Sequence, residues 1–180
     1  MGAGIQTAGL IFGGYNGSSL ANTENYNGTS WTNNPNGLNT ARRGSGGCGT
    51  NTAALCAGGY ATDFTAVVEE YNGTSWSEVN NIPLARNAFR LVGPQTAALG
   101  FGGYLPGPGG GPGNLPTNSI IYDGTTWSTN PSLATGSVRG GQAGTTTSAF
   151  TTAGQLGSGT TTENFDGVTE TVTAKTLTTS

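Results

Sequence analysis

A single hexapeptide punctuates this 180-residue chain: YNGTSW stands at 26–31 and again, letter for letter, at 71–76. A near copy, YDGTTW, fills 122–127, and a worn one, FDGVTE, fills 165–170. A second landmark keeps step with it. An apolar run closes on a glycine pair in GLIFGGY (9–15), ALCAGGY (54–60) and ALGFGGY (98–104), with a degenerate form, AFTTAGQ, at 149–155. The leading glycines of the pairs Gly13–Gly14, Gly58–Gly59 and Gly102–Gly103 lie 45 and then 44 residues apart. The aromatics that open the hexapeptide, Tyr26, Tyr71, Tyr122 and Phe165, are spaced 45, 51 and 43. One insertion, LPGPGGGPGNLP (105–116), accounts for the long interval. A third landmark precedes each apolar run: LNTARRGSGGCGTNTAAL (38–55), IPLARNAFRLVGPQTAAL (82–99) and SLATGSVRGGQAGTTTSAF (132–150). The chain start matches the second half of this unit, and the end, AKTLTTS (174–180), resembles its beginning. Four units therefore tile 1–180 as one domain, with limits near 1–34, 35–80, 81–130 and 131–180. A unit of this size cannot bury its own apolar face, so repetition implies stacking of neighbours.

Composition says what each unit is made of. Glycine supplies 33 residues, Thr, Ser and Asn are abundant, and charged residues make up only 8%. Gly, Thr, Ser and Asn rank poorly in helix interiors, and the low charge is unlike that of disordered chains. In the second unit we expect strands at about 42–49, 53–57, 65–71 and 74–79. TNT turns the first pair, and Asn72–Gly73 is expected to form a type I′ hairpin turn between the last two. Four antiparallel strands per unit predict an all-β propeller of four blades. It either closes as a small four-bladed ring, which the complementary ends favour, or forms an arc that another chain completes.

An apolar run ending in Gly-Gly, a Tyr about 12 residues later, a Trp five after that, then ARR or LAR, resembles the kelch repeat. More narrowly, YNGTSW together with LNTAR…GCGTNTAALCAGGY is similar to the kelch-like arrays of tail-fibre and other virion-surface proteins of marine phages. That resemblance implies a β-propeller on a virion surface or otherwise outside the cell, binding a host glycan or host surface protein. The alternatives are a purely structural unit that self-associates or stacks with other virion proteins, and a secreted bacterial adhesin.

The landmarks themselves read as scaffold. The glycine pairs end a strand where the backbone turns sharply or meets a neighbour. Tyr26, Tyr71 and Tyr122 with Trp31, Trp76 and Trp127 put two large rings beside each turn, suited to filling the space between blades or to stacking on sugars. Asn27 and Asn72 sit in formal glycosylation sequons, but Asp123 and Asp166 take the same place, so the turn explains all four copies. Glu170 replaces the tryptophan of the fourth unit. Cys48 and Cys56 fall on two strands of one hairpin; they form a cross-strand disulfide or remain two buried thiols. In the third unit, FRLVG (89–93) brings bulk to an innermost strand, enough to plug a central channel.

Alternation of antiparallel strands sorts the loops onto two faces. One face has only tight turns. The other carries Tyr15, Tyr60 and Tyr104 after the glycine pairs, Arg42, Arg43 and Arg86 in the connections between units, and the 105–116 insertion. Tyr and Arg are common interface anchors, so these six are the candidate ligand-binding residues. The same arginines could instead tie one blade's carbonyls to the next. No enzyme is expected: the chain has no histidine, its carboxylates are scattered, and no cofactor or metal site is implied. Nothing is basic enough for nucleic acid, and no apolar run approaches the ~20 residues of a membrane-spanning helix.

Overall fold

The computed structural model describes residues 1–107, 115–152, 161–166 and 173–176. All of its regular structure among these residues is strand. Sixteen strands form four antiparallel sheets, arranged as the blades of a four-bladed propeller. Blade 1 is β1 (Gly2–Ile5), β2 (Ala8–Tyr15), β3 (Ser19–Tyr26) and β4 (Trp31–Asn34). Blade 2 is β5 (Gly46–Gly49), β6 (Ala54–Ala57), β7 (Val68–Tyr71) and β8 (Trp76–Val79). Blade 3 is β9 (Arg90–Val92), β10 (Ala98–Phe101), β11 (Ser119–Tyr122) and β12 (Trp127–Asn130). Blade 4 is β13 (Gln142–Gly144), β14 (Ser148–Thr152), β15 (Thr161–Asp166) and β16 (Thr173–Thr176). Strand order follows the chain in every sheet, and β1, β5, β9 and β13 are the first strands, next to one another along the series.

The core lies between blades, because each narrow sheet has two apolar faces. Leu10 and Phe12 meet Ala54, Cys56, Tyr71 and Trp76 between blades 1 and 2. Leu55, Ala57 and Val68 meet Leu91, Ala98 and Tyr122 between blades 2 and 3. Leu99 and Phe101 meet Ala149 and Phe165 between blades 3 and 4. Of FRLVG, Phe89 and Leu91 are spent at the second of these junctions and Val92 at the third. Phe89 and Leu91 are buried, and a Cβ on Gly46 would stand 2.8 Å from the Leu91 Cγ, one on Gly100 2.3 Å from the Phe89 ring. Those two glycines make room for the large side chains of the third unit.

Each glycine pair clips a blade to the segment that enters the next. Gly13, Gly58 and Gly102 have φ of 62°, 63° and 68°, where L side chains are strained. The second glycine of each pair donates its N–H forward: Gly14 to the Arg42 carbonyl at 3.0 Å, Gly59 to Arg86 at 2.8 Å and Gly103 to Ser137 at 3.2 Å. A Cβ on the first would lie only 2.5–2.7 Å from those same carbonyl oxygens. The degenerate pair at 153–154 lies outside the described residues.

The hexapeptide turn differs from expectation. Tyr71 pairs directly with Trp76, so four residues, not two, connect β7 to β8. Asn72 does not have positive φ; only Gly73 does, at 91°. The reason is that the side chain closes the loop. The Asn72 Oδ1 accepts the N–H groups of Thr74 and Ser75, each at 2.9 Å. Asn27 does the same for Thr29 and Ser30, and Asp123 for Thr125 and Thr126. The Thr126 N–H and hydroxyl, with the Thr125 N–H, hold the Asp123 carboxyl below its ordinary range. An acceptor oxygen is what the position needs, which is why Asn and Asp interchange. Accordingly, Asn72→Asp should leave thermal stability nearly unchanged, whereas Asn72→Ala should cost about 0.5–2 kcal/mol in denaturant unfolding.

Cys48 and Cys56 form no disulfide; both are free and buried. The register explains this. Cys48 pairs with Leu55 and Cys56 with Gly47, so the thiols occupy adjacent rows and opposite faces of the blade. Cys56 packs toward blade 1 and Cys48 toward blade 3. Burial, with the neighbouring Cys56 as a smaller cause, pushes the Cys48 thiol up to about 12, which leaves it unreactive at neutral pH.

Candidate functional site

The six sequence candidates separate into a cluster that reaches the surface and a buried set. Arg42 and Arg86 do not reach the loop face; both are fully buried, which corrects their assignment as surface anchors. Arg42 Nη2 lies 3.0 Å from the Glu69 Oε1, and its Nε donates to the Cys56 Sγ at 3.3 Å. The same carboxylate accepts the N–H groups of Asn39 at 2.7 Å and Thr40 at 3.2 Å. This network pins the connection between blades 1 and 2 onto the face of β7.

The other blades keep only fragments of it. Ile120 stands where Glu69 does, two residues before the hexapeptide aromatic, and Arg86 is left with weak bonds to the Gly102 and Asn118 carbonyls at 3.4 and 3.5 Å. Its guanidinium lies over the Phe89 ring, 5.0 Å from the centroid, and burial lowers its pKa to about 10. In blade 4, Glu163 holds the N–H groups of Ala134 and Thr135 at 2.7 and 2.9 Å, but Ser137 replaces the arginine. A guanidinium arrives from another strand instead: Arg90 Nη1 donates to the hydroxyls of Ser137 at 3.1 Å and Thr151 at 2.9 Å.

Tyr15, Arg43 and Tyr60 come together at the surface. The Arg43 guanidinium carbon is 4.2 Å from the Tyr15 ring centroid and 4.6 Å from that of Tyr60, so the cation is sandwiched between two rings. Backbone bonds between Arg43 and Tyr60, at 2.8 and 3.0 Å, fix the two residues in register. Tyr15 is 58% exposed. Tyr104 is buried by contrast, with the Arg139 guanidinium 6.0 Å over its ring.

Beside this stack, the connections converge on a central mouth of about 360 Å³, to which all four blades contribute. Arg43, Ser45, Arg90, Arg139 and Gln142 line it, and no carboxylate does among the described residues. Three of the chain's six basic residues thus meet in one concavity of a protein with net charge −3. Arg90 is buried, and its Nε and Nη2 have no partner among the described residues, as does the buried Ser45 Oγ. Gly44, Ala88 and Arg139, at the same place in three units, all adopt positive φ, from 53° to 62°. For alanine and arginine that conformation is strained, and it marks the rim of the mouth. Arg90 and Arg139 were not among the sequence candidates. Neither falls in the ARR or LAR landmark, and only the ring arrangement brings them to Arg43. Much of the 105–116 insertion lies outside the described residues.

No known protein family matches this chain, and no curated protein matches it.

Proposed function

We propose that the protein is a non-catalytic binding module, displayed on a virion or otherwise outside the cell, whose connection face takes a glycan of a host surface. The observation that carries this reading is the cation-lined central mouth next to the Tyr15–Arg43–Tyr60 stack, whose Tyr15 ring is exposed. Aromatic rings suit the apolar faces of sugars, and three guanidinium groups, that of Arg90 buried, in a cavity lined by no carboxylate among the described residues suit an acidic group. The kelch-like repeat of virion-surface arrays is consistent with such a role, and the absence of histidine leaves no ready general base.

A glycan array probed with the intact chain tests the reading. Sugars bearing a carboxylate or sulfate should bind, and neutral ones should not. Arg43→Ala should weaken binding by roughly tenfold or more, the effect of losing one charge-assisted contact. Tyr60→Ala should weaken it too, and added salt should lower affinity. Binding confined to neutral glycans, or indifferent to both substitutions, would discard this site. Turnover of any bound polysaccharide would discard the non-catalytic assignment. A purely structural, self-associating role is the second reading. What favours it is the exposure of Trp31 and Phe150 on the two end blades.

A further inference from the structure

Consecutive blades meet through the same two half-faces, and the chain carries one spare copy of each. At the first junction, Leu10 and Phe12 of β2 and Thr23 of β3 look forward, while Cys56, Tyr71 and Trp76 of blade 2 look back. The Trp76 Nε1 donates to the Thr23 Oγ1 at 2.9 Å, and the Phe12 and Trp76 rings pack edge to face, 4.7 Å apart. Counting from the glycine pair, the forward position of Leu10 recurs as Leu55, Leu99 and Phe150. The first three are buried; Phe150 is 43% exposed.

The backward face repeats in the same way. Blade 1 presents Ile11, Tyr26 and Trp31 where blade 2 presents Cys56, Tyr71 and Trp76. The register puts them together, with Gly9 opposite Tyr26 and Tyr26 opposite Trp31, and Ile11 two residues beyond Gly9. Cys56 is fully buried, whereas Ile11 is 41% exposed and Trp31 48%. On blade 4, Phe150 pairs with Asn164 and Thr152 with Thr162, so Phe150 and Thr162 share the forward face. Thr162 stands three residues before Phe165, as Thr23 stands three before Tyr26. The forward face of the last blade therefore repeats the aliphatic-plus-hydroxyl pattern that receives Trp76 at the first junction.

We propose that the forward face of blade 4 in one copy docks on the backward face of blade 1 in a second copy. Phe150 covers Ile11 and Tyr26, and the Thr162 hydroxyl accepts the Trp31 indole N–H. The interface is the continuation of a junction that the chain already builds within itself, and it removes from water apolar groups that a single copy leaves exposed. Reciprocated, the contact closes as a two-fold pair; repeated without closure, it propagates along an axis. This inference rests on the blade arrangement and not on the ligand reading above.

Sedimentation equilibrium of the full chain across a range of concentrations provides the test. The expected result is a species of at least twice the chain mass that dissociates on dilution. Ile11→Asp and Phe150→Asp should each yield monomer, with circular dichroism melts unchanged because both positions are exposed in one copy. Mixing the two variants should restore a one-to-one complex, since one keeps an intact blade 4 face and the other an intact blade 1 face. A monomer at every concentration would overturn the proposal, whether Trp31 proves shielded by the chain's own last blade or remains open to quenchers. So would an oligomer that both variants leave intact, or a mixture that stays monomeric.

Discussion

Replacing Glu69 by alanine is expected to destabilise the fold by about 3–5 kcal/mol, the cost of leaving a buried charge without its partner. Arg42 and Glu69 are both fully buried and 3.0 Å apart. Without the carboxylate, the guanidinium stays in a dry site, and the N–H groups of Asn39 and Thr40 lose their acceptor as well. Urea unfolding should show the loss as a lower midpoint with an unchanged slope. The double variant Arg42→Met with Glu69→Leu should recover most of it, because an apolar pair of similar volume carries no charge to desolvate. A shift below about 1 kcal/mol for Glu69→Ala would mean that water reaches this pair, contrary to its burial.

The three tryptophans of the repeated hexapeptide should respond very differently to truncation. Trp76→Ala should cost about 3–5 kcal/mol, the range for removing a large buried aromatic. The ring is only 5% exposed, packs on Phe12 and Tyr71, and donates to Thr23. Trp31 touches Tyr26 in its own hairpin and lies over Gly9 but leaves about half its surface, 48%, in solvent, so Trp31→Ala should change the stability of dilute monomer by about 0.5 kcal/mol or less. Trp127 falls between, half-buried with its indole N–H on the Asn80 carbonyl at 3.0 Å. Thermal melts of the three variants at low concentration would check the order. Equal losses at Trp31 and Trp76 would show that the first blade is covered in solution as the second is.

Much of the architecture could be read directly from residue patterns. The spacing of the glycine pairs and hexapeptides located four units and four strands in each, and the described strands follow that plan. The reading was coarser at the turns. Asn-Gly is the usual mark of a two-residue turn, but Tyr71 and Trp76 pair across four residues, and an Asn and an Asp serve equally because each offers an oxygen to two N–H groups. For the cysteines it left a disulfide and two buried thiols both open, since equal distance from a turn does not reveal which rows of a ladder face each other; the register gives the thiols. Among the site candidates, Arg42 and Arg43 are adjacent in the chain, yet one is sealed against Glu69 and the other lies between two tyrosine rings. Chain position put both in the connection, and the alternating direction of neighbouring side chains separated them.

The sequence by itself determined the unit: its four strands, its looped turn with an acceptor oxygen, its glycine pair and the number of copies. These depend on neighbours a few residues away, and they recur wherever the letters recur. Only the tertiary structure decided which copies of a residue lie inside. Tyr71 and Tyr26 belong to the same hexapeptide, but burial depends on what stands across the junction: Tyr71 is sealed against the forward face of blade 1, while Tyr26 is half-buried. The same cause gathers Arg43, Arg90 and Arg139 from three different units into one mouth. Convergence of blades on a common centre brings together residues that no local pattern connects.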